Sequence, residues 1–294
     1  MRLVSYDAGG ALRSGVLLDK HVFDVATLIG TTNGAASSVR ALLERHGDDL
    51  SQLADRLETA AADAGEARVG DLEDIRLGPP VSDPAKVLCV GLNYRDHVSE
   101  TGRELPEHPD IFSKFASSLV GPSDDLEVAD VSPKLDYEGE LAVVIGKPCR
   151  RVAAENAIDY IAGAMILNDT TARDLQFNAT QWLPGKALDG STPCGPALVT
   201  LDEVGDLQQL ELATRVNGVE VQRSDTRHMI FPVATVVSYI SQFLALAPGD
   251  VITTGTPDGV GSRMAPPSFL TTGDVVEVEI DRLGVLRNTI ASAS

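Results

Sequence analysis

Apolar and polar positions alternate from the first residues of the chain. Leu3-Val-Ser-Tyr6 and Ser14-Gly-Val-Leu-Leu-Asp-Lys-His-Val-Phe-Asp-Val25 read as short antiparallel strands, the second stretch turning near Asp19-Lys20. In Val39–His46 and Leu50–Ala62 the apolar residues fall three and four apart instead, the spacing of amphipathic helices. Leu77-Gly-Pro-Pro-Val-Ser-Asp-Pro84 cannot continue a helix, and its prolines mark a boundary. Residues 1–75 therefore read as a small N-terminal α/β module and residues 80–294 as the main domain. In that domain the pattern predicts a buried strand at Lys86–Gly91 and a short helix over Tyr94–Thr101 that Gly102 ends. Further strands are predicted at Glu138–Gly146, Ala164–Leu167, Ala197–Thr200, Glu211–Val216, Val251–Thr254 and Val275–Ile280. Asn217-Gly218 is a hairpin signal, and Ala153–Tyr160 and Pro232–Ala245 carry helical spacing. Strands outnumber helices without strict alternation. That argues against a Rossmann or barrel layout and for an α+β fold around a mixed, rolled sheet.

Composition narrows the class. Hydrophobic residues make up 43% of the 294 positions, the range of globular proteins, and no apolar run approaches the roughly 20 residues of a membrane span. Met1-Arg-Leu-Val-Ser-Tyr-Asp7 enters the alternating pattern without a charged and then apolar leader, so no signal peptide is expected. Cys89, Cys149 and Cys194 are too few and too scattered for a disulfide framework or a zinc knuckle. The expectation is a cytoplasmic protein. A net charge of 24 − 43 = −19 argues against nucleic acid or an anionic membrane as partner. It does not exclude a small anionic substrate, because a bound metal inverts the local field.

Candidate chemistry concentrates in a few places. Glu138 and Glu140 lie two apart on the predicted strand and share a face, while Gly139 is expected to leave the opposite face bare. Asp169 ends the apolar run Ile161–Asn168. Three buried carboxylates repel one another unless a cation neutralises them. An all-oxygen set favours Mg²⁺ or Mn²⁺, with Ca²⁺ a further occupant, over zinc. His97 and Glu100 are three apart on the predicted helix, so the carboxylate can hold one imidazole nitrogen and leave the other as a base. Lys186, inside a Gly/Pro-rich stretch, is placed to clamp a carboxylate or an oxyanion. Lys114 is a second such clamp, and Arg173 reads as an ion-pair partner of Asp174 or of a ligand carboxylate. The loop Thr253–Gly261 lacks the spacing of a phosphate loop and reads as a pocket wall offering the Thr256 hydroxyl.

Taken in order, N-Y-x-x-H-x-x-E, F-x-K, D-Y-E-G-E-L, N-D-x-T-A-R-D-x-Q, G-K-x-x-D and T-G-T-P-x-G-V-G resemble the fumarylacetoacetate hydrolase family from about Lys86 to the C-terminus. The resemblance implies a mixed-sheet β-roll catalytic domain, a homodimer, and Mg²⁺ or Mn²⁺ held by Glu138, Glu140 and Asp169. It also implies a His97–Glu100 pair on a closing segment, oxyanion and positioning roles for Gln176 and Lys186, and substrate contacts from Thr256, Lys114 and Arg173. Phe115 stands where some members have proline. The expected reaction is hydrolysis of a C–C bond in a 2,4-dioxo acid, an acylpyruvate, to pyruvate and a carboxylic acid. His97 takes a proton from water, and the departing pyruvate enolate needs a Lewis acid to absorb its charge. The same site suits an oxaloacetate-type decarboxylase or a 2-hydroxy-dienoate isomerase. A catalytically silent, metal-stabilised dimer is the reading from another class; it has no use for His97, Glu100 and Lys186.

Overall fold

The computed structural model describes residues 1–31 and 36–292. Its centre is the strand Gly139–Ile145, every residue of which is buried. A strand covered on both faces has no polar side to present, which is why its sequence is an unbroken apolar run after Glu140. It pairs antiparallel with Ile161–Asn168 on one side and Val251–Thr253 on the other. Val251–Thr253 in turn runs parallel to Val87–Gly91, which pairs antiparallel with Asp110–Lys114. On the other flank Ile161–Asn168 pairs with Thr192–Thr200. The resulting sheet has 12 strands, is mixed, and is open at both ends rather than closed into a barrel.

The N-terminal strands extend this sheet. Arg2–Asp7 pairs antiparallel with Thr192–Thr200, and Leu12–Leu18, His21–Asp24 and Arg68–Asp71 follow outward. Asp19, at the predicted turn, has φ of 53°, and the hairpin closes there. A separate four-stranded antiparallel sheet is formed by Val219–Asp225, Glu211–Val216, Val275–Ile280 and Gly284–Thr289. Its first hairpin turns at Asn217 and Gly218, both left-handed (φ 52° and 78°), as a two-residue turn matching strand twist requires.

Side-chain parity on Gly139–Ile145 sorts the core into layers. Leu141, Val143 and Ile145 belong to a cluster with Leu212, Val276, Val278 and Leu286 of the small sheet. Ala142 and Val144 belong to a second cluster with Leu42, Leu43, Leu53 and Leu57 of the helices Val39–His46 and Leu50–Asp63. Both helices start where a side chain caps them, at Ser38 and Asp49. Among the described residues no helix is long and apolar enough to cross a membrane.

Candidate active site

Two adjacent strand ends build the acidic centre. Gly139 lies opposite Asn168 and Glu140 opposite Leu167, so Glu138 and Asp169 meet where the two strands stop. The backbone fixes that meeting point: the Asp169 N–H donates to the Glu138 carbonyl (2.8 Å), and the Glu138 N–H donates to Asn168 Oδ1 (3.0 Å). Glu138, Glu140 and Asp169 are all buried, and one oxygen of each lies within 4.8 Å of the others. The face opposite the carboxylates is not bare, contrary to expectation. A Cβ on Gly139 would overlap the Thr214 hydroxyl and come within 2.9 Å of Val278 Cγ1. Glycine is needed because the small sheet packs against the strand there.

Three cations face this centre. The Lys186 ammonium donates to Glu138 Oε2 (2.6 Å) and Asp169 Oδ2 (2.7 Å) and lies 5.1 Å from the centroid of the Phe112 ring. Lys114 donates to Asp169 Oδ1 (2.7 Å) and the Thr170 carbonyl (3.4 Å). Arg173 pairs with Glu138 Oε1 (2.6 Å) through its Nη2 and with Asp136 Oδ2 (2.8 Å) through its Nε. Burial alone raises the pKa of Glu138, but Lys186 and Arg173 overrule it and hold the carboxyl at about 2. Burial likewise opposes the Lys186 charge, and Asp169 and Glu138 keep it protonated well above the usual lysine range.

Glu140 is different. It has no ion-pair partner among the described residues and accepts the Gly255 N–H (2.9 Å). Burial, then Asp169 and Glu138, push its carboxyl well above the ordinary range. A buried carboxylate left without a counter-ion between two others is what a divalent cation would satisfy. The hard, all-oxygen donor set thus fits a divalent metal held by Glu138, Glu140 and Asp169.

The proton-handling pair comes from the helix Arg95–Thr101. His97 is buried and its Nδ1 lies 3.1 Å from Glu100 Oε2. Glu100 Oε1 accepts the Gly259 N–H (3.1 Å), tying the helix to the loop that follows Val251–Thr253. Gly102, left-handed at φ 68°, ends the helix. His97, Glu138, Glu140, Gln176, Lys186, Arg173 and Thr256 all line one cavity of about 590 Å³.

The remaining expected residues are placed as follows. Gln176 Oε1 accepts from Arg173 Nη1 (3.1 Å), which leaves its amide Nε2 to donate. The Thr256 hydroxyl donates to the Gly139 carbonyl (3.0 Å) and accepts from Gln222 Nε2 (2.9 Å), so its proton is committed to the scaffold. Lys114 does not line the cavity. It is fully buried against Asp169 and pairs with that carboxylate. Arg173 lines the cavity, yet its guanidinium is engaged by Asp136, Glu138 and Gln176 rather than by Asp174, whose carboxylate accepts from Ser132.

One residue of the site escaped the sequence reading. Asp136 is fully buried and accepts from Arg173, from the Gly261 N–H (2.7 Å) and from the Ser262 N–H (2.9 Å). It joins the loop wall to the guanidinium that holds Glu138. A signal existed: Asp136, Glu138 and Glu140 follow one another at intervals of two.

The mixed α+β fold, with three clustered buried carboxylates and a Glu100-held His97 lining the same cavity as Glu138 and Glu140, points to the class of metal-dependent enzymes. The chain belongs to the fumarylacetoacetate hydrolase family: the sequence model of the fumarylacetoacetate (FAA) hydrolase C-terminal domain matches residues 86–291. A mitochondrial oxaloacetate tautomerase of Rattus norvegicus is 44% identical over 247 residues, 82% of this chain and 79% of that protein. The solved fumarylacetoacetate hydrolase of Exiguobacterium antarcticum is 37% identical, with a TM-score of 0.83 over the whole of both chains. Maleylpyruvate hydrolase from Sphingobium sp. SYK-6, solved with manganese(II) and pyruvate, is 27% identical, with a TM-score of 0.79, again over the whole of both chains.

Proposed function

We propose that the protein is a divalent-metal-dependent enzyme acting on 2-oxo acids. Its reaction in this reading is proton transfer at the carbon next to the 2-oxo group, interconverting keto and enol forms, with oxaloacetate the first substrate to test. The observation that carries the reading is a cavity lined by Glu138, Glu140 and the Glu100-held His97, with Asp169 clustered against the two glutamates. The oxaloacetate tautomerase of Rattus norvegicus supports the choice of reaction among those the family catalyses.

A divalent cation held by the three carboxylates, Mg²⁺ or Mn²⁺, supplies Lewis-acid stabilisation of negative charge on the 2-oxo acid. The chain's own groups do the rest. Glu100 occupies His97 Nδ1 and so leaves Nε2 as the nitrogen that accepts and returns a proton. As the C3–H bond breaks, its electron pair forms the C2=C3 double bond and the 2-oxo oxygen gains charge. That oxygen then takes up a proton, completing the enol. Gln176, whose Nε2 has no hydrogen bond among the described residues, and Lys186 donate hydrogen bonds where this charge develops. The water-excluding wall is apolar, from Phe112 and Trp182, packed edge to face at 5.6 Å.

Hydrolysis of an acylpyruvate is the second reading. The same His97–Glu100 pair favours it if the proton is taken from water instead of carbon, and the likeness to maleylpyruvate hydrolase supports it. The two separate in one experiment on Mg²⁺-loaded protein. Tautomerisation predicts faster relaxation of the oxaloacetate enol absorbance with no loss of oxaloacetate and no cleavage of acylpyruvates. Hydrolysis predicts stoichiometric pyruvate from an acylpyruvate. Pyruvate formed from oxaloacetate would put decarboxylation in place of both.

A further inference from the structure

The peptide between the two glutamates has no strand to pair with on one side. Along Gly139–Ile145 the pairing with Val251–Thr253 runs from Val144 to Ala142. It ends with the Thr254 N–H on the Leu141 carbonyl (3.0 Å), and the chain then turns away at Gly255, left-handed at φ 91°. Gly139 lies past the end of this pairing. Its backbone alone sets the separation of the Glu138 and Glu140 side chains, and glycine is the residue that resists backbone rotation least. Left without partners, that peptide would be unsatisfied and would not hold the two carboxylates at a fixed distance.

Two side chains take the place of the missing strand. Gln222 Oε1 accepts the Gly139 N–H (3.0 Å), and the Thr256 hydroxyl donates to the Gly139 carbonyl (3.0 Å). Gln222 Nε2 donates in turn to Thr256 Oγ1 (2.9 Å) and to the carbonyls of Pro257 (3.0 Å) and Asp258 (3.4 Å). These partners fix the orientation of the amide, because an N–H faces its oxygen and three acceptors face its nitrogen. Gln222 is 1% exposed and stands on Val219–Asp225 opposite Thr214, in the sheet that also gives Leu212, Val276 and Val278 to the core. An amide buried there is costly unless its hydrogen bonds are made. Here both ends are engaged.

The loop held by Gln222 is also the one that reaches the proton pair. Gly259 donates its N–H to Glu100 (3.1 Å), and its carbonyl accepts from the Tyr137 hydroxyl (3.0 Å). Gly259 is left-handed at φ 92°, and a Cβ on it would overlap the Val221 carbonyl, so the loop rests directly on the strand that carries Gln222. We propose that Gln222 and Thr256 form a clamp on the Gly139 peptide, and that Gln222 is a positioning residue that holds Glu138 and Glu140 at the separation a divalent cation needs. This rests on the reading of Glu138, Glu140 and Asp169 as the metal site. Gln222 does not line the cavity and acts through the Gly139 backbone.

The clamp is tested on the full chain by Mg²⁺ titration calorimetry and by amide hydrogen exchange of the metal-free protein followed by NMR. Gln222→Met keeps the length of the side chain and removes its hydrogen bonds. It is expected to weaken Mg²⁺ binding about 10–100-fold, the scale for partners that hold a metal's ligands in place. Exchange at Gly139 should quicken while Val143 keeps its wild-type rate. Gln208→Met is the control, since that amide is engaged elsewhere, by the Thr226 carbonyl (2.8 Å) and the Val233 N–H (2.7 Å). It should cost stability and leave Mg²⁺ affinity as in the wild type. Where Gln222→Met does not fold, Thr256→Val removes the other jaw and is expected to weaken Mg²⁺ binding in the same direction. Wild-type affinity in Gln222→Met, or in Thr256→Val in its stead, would overturn the proposal, as would an equal loss in Gln208→Met. Absence of Mg²⁺ binding in the wild type would instead refute the metal-site reading, and the clamp with it.

Discussion

In the proposed reaction His97 is the residue on which the proton chemistry turns. It is buried, it touches Glu100, and it makes no hydrogen bond to Glu138, Glu140 or Asp169 among the described residues. His97→Ala should therefore lower turnover on the order of 10²–10⁴-fold while Mg²⁺ affinity stays as in the wild type; a silent scaffold would show no change in any activity. Gly139 tests the packing beneath the site. Gly139→Ala forces a methyl group onto Thr214 and Val278 and should cost about 1–3 kcal/mol in denaturant unfolding. The clustering of Glu138, Glu140 and Asp169 was legible in the sequence because two acids share a face at the head of an apolar strand and the third ends another apolar run. The bare face predicted opposite them was not, because the Val278 strand that fills it lies more than a hundred residues away in the chain. Only part of the Asp136 hub was hidden, for a related reason. Besides Arg173, its partners at Gly261 and Ser262 are backbone amides that carry no side-chain signature.

Elements with clean periodicity were predicted within a few residues: Val39–His46, Arg95–Thr101, Val233–Phe243 and the Asn217-Gly218 hairpin all stand where the spacing put them. The failures have physical reasons. Thr192–Thr200 was seen only from Ala197 because Pro193 and Pro196 lack the N–H a strand interior uses, and the pairing with Ile161–Asn168 is irregular there. Gly284–Thr289 was missed because Asn288 reads as a surface residue, yet it is buried by donating to the Gly121 and Asp124 carbonyls (3.2 and 2.8 Å). Ala154–Tyr160 follows helical spacing but is wound as 3₁₀ turns. At this scale Asp24 offers a pH test. It caps the helix Val25–Leu28 through the Thr27 N–H (2.8 Å) and accepts from the Tyr6 hydroxyl (2.7 Å). Burial works against its charge, but these hydrogen bonds and then Arg13 lower its pKa below the usual 3.8. A carboxyl depressed on folding stabilises the protein above its unfolded pKa and loses that contribution as pH falls through the folded one. Asp24→Ala should thus cost about 0.5–2 kcal/mol at pH 7, measured by urea unfolding, and the gap to the wild type should narrow as pH drops below 3.8.

Across the whole molecule, one sheet joins the first strand to the strands that hold the site. We propose that residues 1–75 and 80–294 are two segments whose stability is shared rather than independent. Leu3 pairs with Leu198, and Val16, Leu42 and Leu57 fill the layer beneath Ala142 and Val144. Expression of 80–294 alone should therefore give an aggregation-prone chain, with an open Thr192–Thr200 edge and an uncovered apolar face; a monodisperse fragment with wild-type Tm would show the segments to be independent. The fold's work is to bring three acids from two strand ends to one point and to surround them with three cations while leaving Glu140 without one. Isothermal titration calorimetry with Mg²⁺ tests that claim most directly, comparing the wild type with a Glu138→Gln, Asp169→Asn double variant whose folding is checked by circular dichroism. The expected result is a saturable single site in the wild type and a loss of affinity in the variant beyond the roughly 10–100-fold that outer-shell changes cost. The same affinity in both proteins would contradict it.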